Sequence, residues 1–78
     1  MTAYDTIIAA ARTIFRERGE APPVITPDTP ILSIGLDSLD IAALVVRLER
    51  ELGQDPFSDP NRTEYPRTFG ELARLYST

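Results

Sequence analysis

Proline decides where this chain can be regular. Its seven prolines fall in two stretches, Pro22, Pro23, Pro27 and Pro30, then Pro56, Pro60 and Pro66. Each removes a backbone donor and biases the preceding residue to extended geometry. Regular structure is left to the three proline-free segments on either side. Within 78 residues those segments can supply one small domain, read here as residues 1–78.

The first segment carries a helical period. Tyr4, Ile7, Ile8, Ala11, Ile14 and Phe15 recur on one face of a 3.6-residue repeat. Thr2 is a cap with Asp5 three positions on, Arg16 and Arg18 suit a last turn, and Gly19 suits the residue after it. Helix one is predicted over residues 3–18. From Glu20 to Asp37 the prolines exclude both helix and strand. Val24, Ile25, Ile31, Leu32, Ile34 and Leu36 are nevertheless too apolar to be left in water. The expectation is a long ordered loop lying across the helices.

The second helix is predicted from Ser38 to Gly53, with Asp37 as N-cap and Asp40 at its third position. Ile41, Leu44, Val45, Leu48 and Leu52 gather within an arc of about 100° that should face the core. Leu39, Ala43, Val46 and Arg50 gather opposite, where the apolar pair offers a small docking surface. Between the later prolines only a helical turn fits, predicted at Pro60–Tyr65 and pinned by Phe57 and Tyr65. Thr68 and Glu71 form a T-x-x-E capping box before a last helix over 69–76, with Phe69, Leu72, Ala73 and Tyr76 as its stripe. The fold class is therefore all-α: three main helices, one short helix, and a long loop between helices one and two.

Composition narrows the chemistry. The chain has no Cys, no His, no Trp and no Lys; its eight basic residues are all Arg. Disulfides, thiolate nucleophiles and the usual zinc sites are excluded, as are the commonest general base and Schiff-base chemistry. An independent enzyme is not expected. The net charge of −4 disfavours nucleic acid and anionic membrane as partners. No apolar run approaches a membrane span, and residues 1–10 lack the pattern of a signal peptide. A soluble cytoplasmic monomer is the expectation. Asp55, Asp59, Asn61 and Glu64 lack the spacing of a calcium loop, so no metal is expected. Tyr4, Tyr65, Tyr76 and the three Phe residues read as core or core edge.

One constellation concentrates the remaining possibilities: Gly35-Leu36-Asp37-Ser38-Leu39-Asp40. Gly35 permits a sharp turn. With Asp37 as cap, the Ser38 hydroxyl is not needed for capping and projects outward. A phosphate attached there would meet free backbone N–H groups and the positive end of the helix dipole. Ser or Asp before an apolar periodic run is also the ordinary way a helix starts. The residues alone leave both readings open.

The wider pattern resembles the acyl carrier protein family, which includes peptidyl and aminoacyl carriers. The similarity runs almost end to end, through the first helix, Thr26-Pro27-Asp28-Thr29-Pro30-Ile31, Ile34 to Asp40, Leu44 to Gly53, and Thr68-Phe69-Gly70-Glu71-Leu72-Ala73. The resemblance implies a four-helix carrier bundle with 4′-phosphopantetheine esterified to Ser38. The group would come from coenzyme A through a Mg²⁺-dependent phosphopantetheinyl transferase. An acyl- or aminoacyl-loading enzyme and a synthase or transferase that takes the cargo are the other implied partners. By position, Asp37, Leu39, Asp40, Val46 and Glu49 would meet those partners; capping and dipole stabilisation account equally for Asp37 and Asp40, and solvated charge for Glu49.

The chain departs from the strongly acidic second helix of many fatty-acid carriers. Residues 37–52 hold four acids against two Arg, a net −2, with Ala42 and Ala43 where acids often sit. Weaker electrostatic steering follows. This points to a specialised carrier of polyketide, nonribosomal peptide or related metabolism. Asp before the serine leans towards acyl over peptidyl or aminoacyl cargo. A helical interaction module without a prosthetic group is the reading from a different class.

Overall fold

The computed structural model describes residues 2–58 and 65–76. Three α-helices form: α1 (Ala3–Glu17), α2 (Ser38–Leu52) and α3 (Phe69–Leu75). No strand is present among the described residues, so the all-α expectation holds. Single 3-10 turns lie at Ile31–Ile34 and Pro56–Ser58. The predicted helical turn at Pro60–Tyr65 lies largely outside the described residues; Tyr65 itself is not helical. No described helix is long and apolar enough to cross a membrane.

α1 starts where its local chemistry says it should. The Thr2 hydroxyl accepts from the Asp5 N–H at 3.1 Å, and the Asp5 carboxylate accepts from the Thr2 N–H at 3.2 Å. These bonds from Thr2 hold the Asp5 carboxyl below the usual range. The predicted stripe is buried, with Tyr4 half-buried, and Ala3 and Ala10 join it. α1 packs on both α2 and α3. On α2, Leu44 and Leu48 are fully buried, while Ile41, Val45 and Leu52 are half-buried. An ion pair between Arg47 and Glu17 ties the outer edges of α1 and α2. It lowers the Glu17 carboxyl and raises the Arg47 guanidinium.

The loop between α1 and α2 corrects two expectations. It is not free of helix: Pro30, at φ −65°, starts the 3-10 turn, and the Ser33 N–H reaches the Pro30 carbonyl at 3.1 Å. The missing donor of a proline costs nothing at such a start. Nor are all its apolar side chains covered. Ile25, Ile31 and Leu36 enter the core, but Val24 and Leu32 remain 84% and 74% exposed. One turn of chain can aim only some of its side chains inward, and Leu32 falls on its outer side.

The loop also builds α3, which at seven residues is too short to stand alone. The Phe69 N–H donates to the Thr29 carbonyl at 3.1 Å and the Gly70 N–H to the Pro27 carbonyl at 2.8 Å. Two donors that a helix start leaves without partners are thus met by loop carbonyls. Gly70 is required by this approach: a Cβ there would sit 2.9 Å from the Pro27 oxygen. The Thr68–Glu71 capping box is only half made. The Thr68 hydroxyl accepts from the Glu71 N–H at 3.1 Å, but the Glu71 carboxylate takes the Arg67 N–H instead. Pairing of Thr68 with Pro30 turns the backbone of the cap towards the loop.

Tyr76 follows α3 as its C-cap and is 2% exposed, with no partner for its hydroxyl among the described residues. Tyr65, by contrast, is exposed and stacks flat on half-buried Phe57, so it is not a core residue. Burial raises the Tyr76 pKa above its ordinary 10.0, helped by the Asp55 and Glu49 carboxylates. The folded chain therefore keeps this proton where the unfolded chain releases it. Stability is full below about pH 10 and falls as pH rises through the folded value. Tyr76→Phe removes the unpaired hydroxyl and is expected to stabilise by about 1 kcal/mol at neutral pH. Its melting temperature should also fall less between pH 9 and about pH 11 than that of wild type. Parallel curves for the two chains would contradict this assignment.

Candidate functional site

The loop enters α2 through a turn fixed at several points. Gly35 takes φ +96°, a left-handed conformation that suits glycine. Leu36 is buried and anchors the turn to the core. Asp37 is extended and caps α2. Its carboxylate accepts from the Asp40 N–H at 2.9 Å, and the Asp40 carboxylate accepts from the Asp37 N–H at 3.2 Å. The Asp40 N–H holds the Asp37 carboxyl below the usual range against some desolvation, with lesser help from the Leu39 N–H and the Arg18 guanidinium.

Ser38 is the first residue of α2 and is exposed. Capping has been taken over by its neighbour, and no described residue hydrogen-bonds its hydroxyl. Part of the helix start is already engaged, because the Asp40 carboxylate accepts the Asp37 N–H and the Asp37 carboxylate the Asp40 N–H. A phosphate on Ser38 would meet two carboxylates as well as the dipole.

Arg18 answers those carboxylates, and nothing in the local sequence announced it. Its Nη1 donates to the Gly35 carbonyl at 3.1 Å and to Asp40 Oδ2 at 2.9 Å. Its Nε pairs with Glu20 at 2.8 Å, and its guanidinium lies 5.6 Å from the Phe15 ring centroid. Asp40, a candidate for partner recognition, is thus half-buried and engaged within the chain. The other candidates, Asp37, Leu39, Val46 and Glu49, are exposed. Leu39 and Val46, at 79% and 47% exposure, lie two turns apart on one side of α2.

The opposite side of α2 borders a feature that the apolar pattern did not distinguish from packed core. A groove of about 600 Å³ is lined among the described residues by Ile31, Leu32, Ile41, Leu44, Val45 and Leu72, together with Phe57, Tyr65, Pro66 and Arg67. Arg67 is the one charged residue lining it among the described residues.

The sequence matches the family model described as a phosphopantetheine attachment site, over residues 5–59. That span covers more than two-thirds of the chain and includes most of α1, the loop and all of α2. The chain belongs to this family. No curated protein and no solved structure matches. The prosthetic group of a phosphopantetheine-binding domain is covalent 4′-phosphopantetheine, and such domains are generally carriers, not catalysts. They work with a phosphopantetheinyl transferase and with enzymes that load and unload cargo.

Proposed function

We propose that residues 1–78 form one acyl carrier domain whose Ser38 is the acceptor of 4′-phosphopantetheine. The observation that carries this is the Ser38 hydroxyl, exposed and unbonded at the first position of a capped helix inside the family match. The residues present fit the group. Asp37 caps in place of the serine, Leu36 holds the turn, and the Arg18 guanidinium offsets part of the local negative charge. In the transfer, Ser38 Oγ attacks the pantetheine-side phosphorus of the coenzyme A diphosphate. Its proton passes to a base of the transferase, the bond to the other phosphate breaks, and 3′,5′-ADP leaves. When bound, the group supplies the thiol that this Cys-free chain lacks.

The groove beside α2, mostly apolar among the described residues, supports acyl over aminoacyl or peptidyl cargo, since a charged amine is costly to place against apolar walls. The mild charge of α2 supports a place in polyketide or other secondary metabolism, and a cytoplasmic setting is consistent with both. Docking falls to Leu39 and Val46, flanked by Asp37 and Glu49, with Asp40 serving the turn first.

Intact mass after incubation with coenzyme A, Mg²⁺ and a broad-specificity transferase tests the reading. Wild type should gain one phosphopantetheinyl group. An unchanged mass overturns it in favour of an interaction module. Val46→Asp should fold with stability within about 0.5 kcal/mol of wild type. It should still slow at least one partner reaction about tenfold, by placing charge in an apolar contact. Wild-type kinetics with every partner would remove Val46 from the docking surface.

A further inference from the structure

We propose that Arg18, at the end of α1, is a positioning residue for the attachment reaction: it fixes the Gly35–Asp37 turn, and through it Ser38, against α1. The proposal rests on the reading of Ser38 as acceptor. Its ground is the set of contacts made by one guanidinium. Nη1 reaches both the Gly35 carbonyl, at 3.1 Å, and Asp40 Oδ2, at 2.9 Å. The same Asp40 oxygen accepts the Asp37 N–H at 3.2 Å. The residues on both sides of Leu36 are therefore tied to one cation, and Ser38 follows immediately.

The cation is itself held in place. Arg18 caps α1, its N–H bonding the Ile14 and Phe15 carbonyls. Its guanidinium lies over the Phe15 ring, and Phe15 is buried. Glu20 pairs with Nε, which orients the planar fork. The core position of α1 is in this way transmitted to the turn before Ser38. Charge adds a second effect. Asp37 and Asp40 flank Ser38 closely, and coenzyme A brings a further anion. Among the described residues no cation other than Arg18 contacts either carboxylate.

An exposed ion pair adds little to stability. The effect of Arg18 should appear in the rate at which Ser38 is modified, because small misplacements of a reacting group are costly. The test compares full-length wild type, Arg18→Met and Arg18→Lys, following transfer from coenzyme A by intact mass. Arg18→Met should lower kcat about tenfold, with KM for the carrier within about twofold and an unchanged circular dichroism spectrum. Arg18→Lys, which keeps a cationic donor, should recover most of that loss. Unchanged kcat, a change in KM alone, or Arg18→Lys as slow as Arg18→Met would each overturn the proposal.

Asp40→Asn is the second probe, and it serves also if Arg18→Met does not fold. It breaks the ion pair while leaving an oxygen to accept the Asp37 N–H. It should slow modification similarly, and adding Arg18→Met should cost little more; independent, multiplying losses overturn the shared role. If wild type gains no mass, the attachment reading itself fails and this proposal falls with it. If wild type is modified and Arg18→Met keeps its kcat, only the Arg18 proposal falls.

Discussion

Ser38→Ala should abolish the mass gain produced by coenzyme A and the transferase, completely, and leave the chain folded. The two halves of this expectation have separate causes. Loss is total because the substitution removes the one nucleophilic oxygen that the capped turn presents. Five of the other hydroxyls in the described chain are occupied locally. Thr2 caps α1, Ser33 donates to the Pro30 carbonyl at 2.8 Å, Thr26 and Thr29 bond each other, and Thr68 caps α3. Folding survives because the Ser38 hydroxyl makes no hydrogen bond with the described residues and the position is exposed. Alanine is also the better helix former there. The melting temperature should move by no more than about 4 °C, the equivalent of a surface change of about 0.5 kcal/mol in a domain of this size. A gain of mass that persists in Ser38→Ala would place the acceptor elsewhere. A collapse of the fold would show that Ser38 has a structural role that its geometry does not display.

What could be read without coordinates was local. Both reciprocal caps, Thr2 with Asp5 and Asp37 with Asp40, form as their spacing predicts. A cap is a matter of four consecutive residues, and nothing distant competes for them. The same holds for the exposed Ser38, whose position follows from the cap before it. Thr68 with Glu71 shows the limit. The spacing is right, but the loop pairs with Thr68 and the glutamate finds the Arg67 N–H. Arg18 shows it more strongly. Its partners Gly35 and Asp40 lie 17 and 22 residues away, so a last-turn arginine gave no sign of them. The groove is of this kind too. Ile41, Leu44 and Val45 have the period of a packed face, and period does not say whether the facing wall is close. Val24 and Leu32 were expected inside because composition counts apolar residues without regard to direction.

Leu48→Ala should destabilise the chain by about 2–5 kcal/mol. Leu48 is fully buried on the face that α2 turns to α1, one turn beyond equally buried Leu44. Deleting its branched end loses apolar burial and leaves a void that short helices joined by an anchored loop cannot readily close. In a chain of 78 residues the whole stability is about 4–12 kcal/mol. A single truncation therefore removes a large part of it, and the melting temperature should drop by about 10–30 °C. The loss should not spread to the chemistry of Ser38. That residue is held by the Asp37–Asp40 cap and by Arg18 at the other end of α2. Below its own melting transition, Leu48→Ala should accept phosphopantetheine at close to the wild-type rate. Equal melting temperatures for Leu48→Ala and wild type would mean that α2 buries a different face, with Leu39 and Val46 no longer its outer side. A slow but fully folded Leu48→Ala would mean that packing along the whole helix, and not the turn at its start, sets the position of the serine.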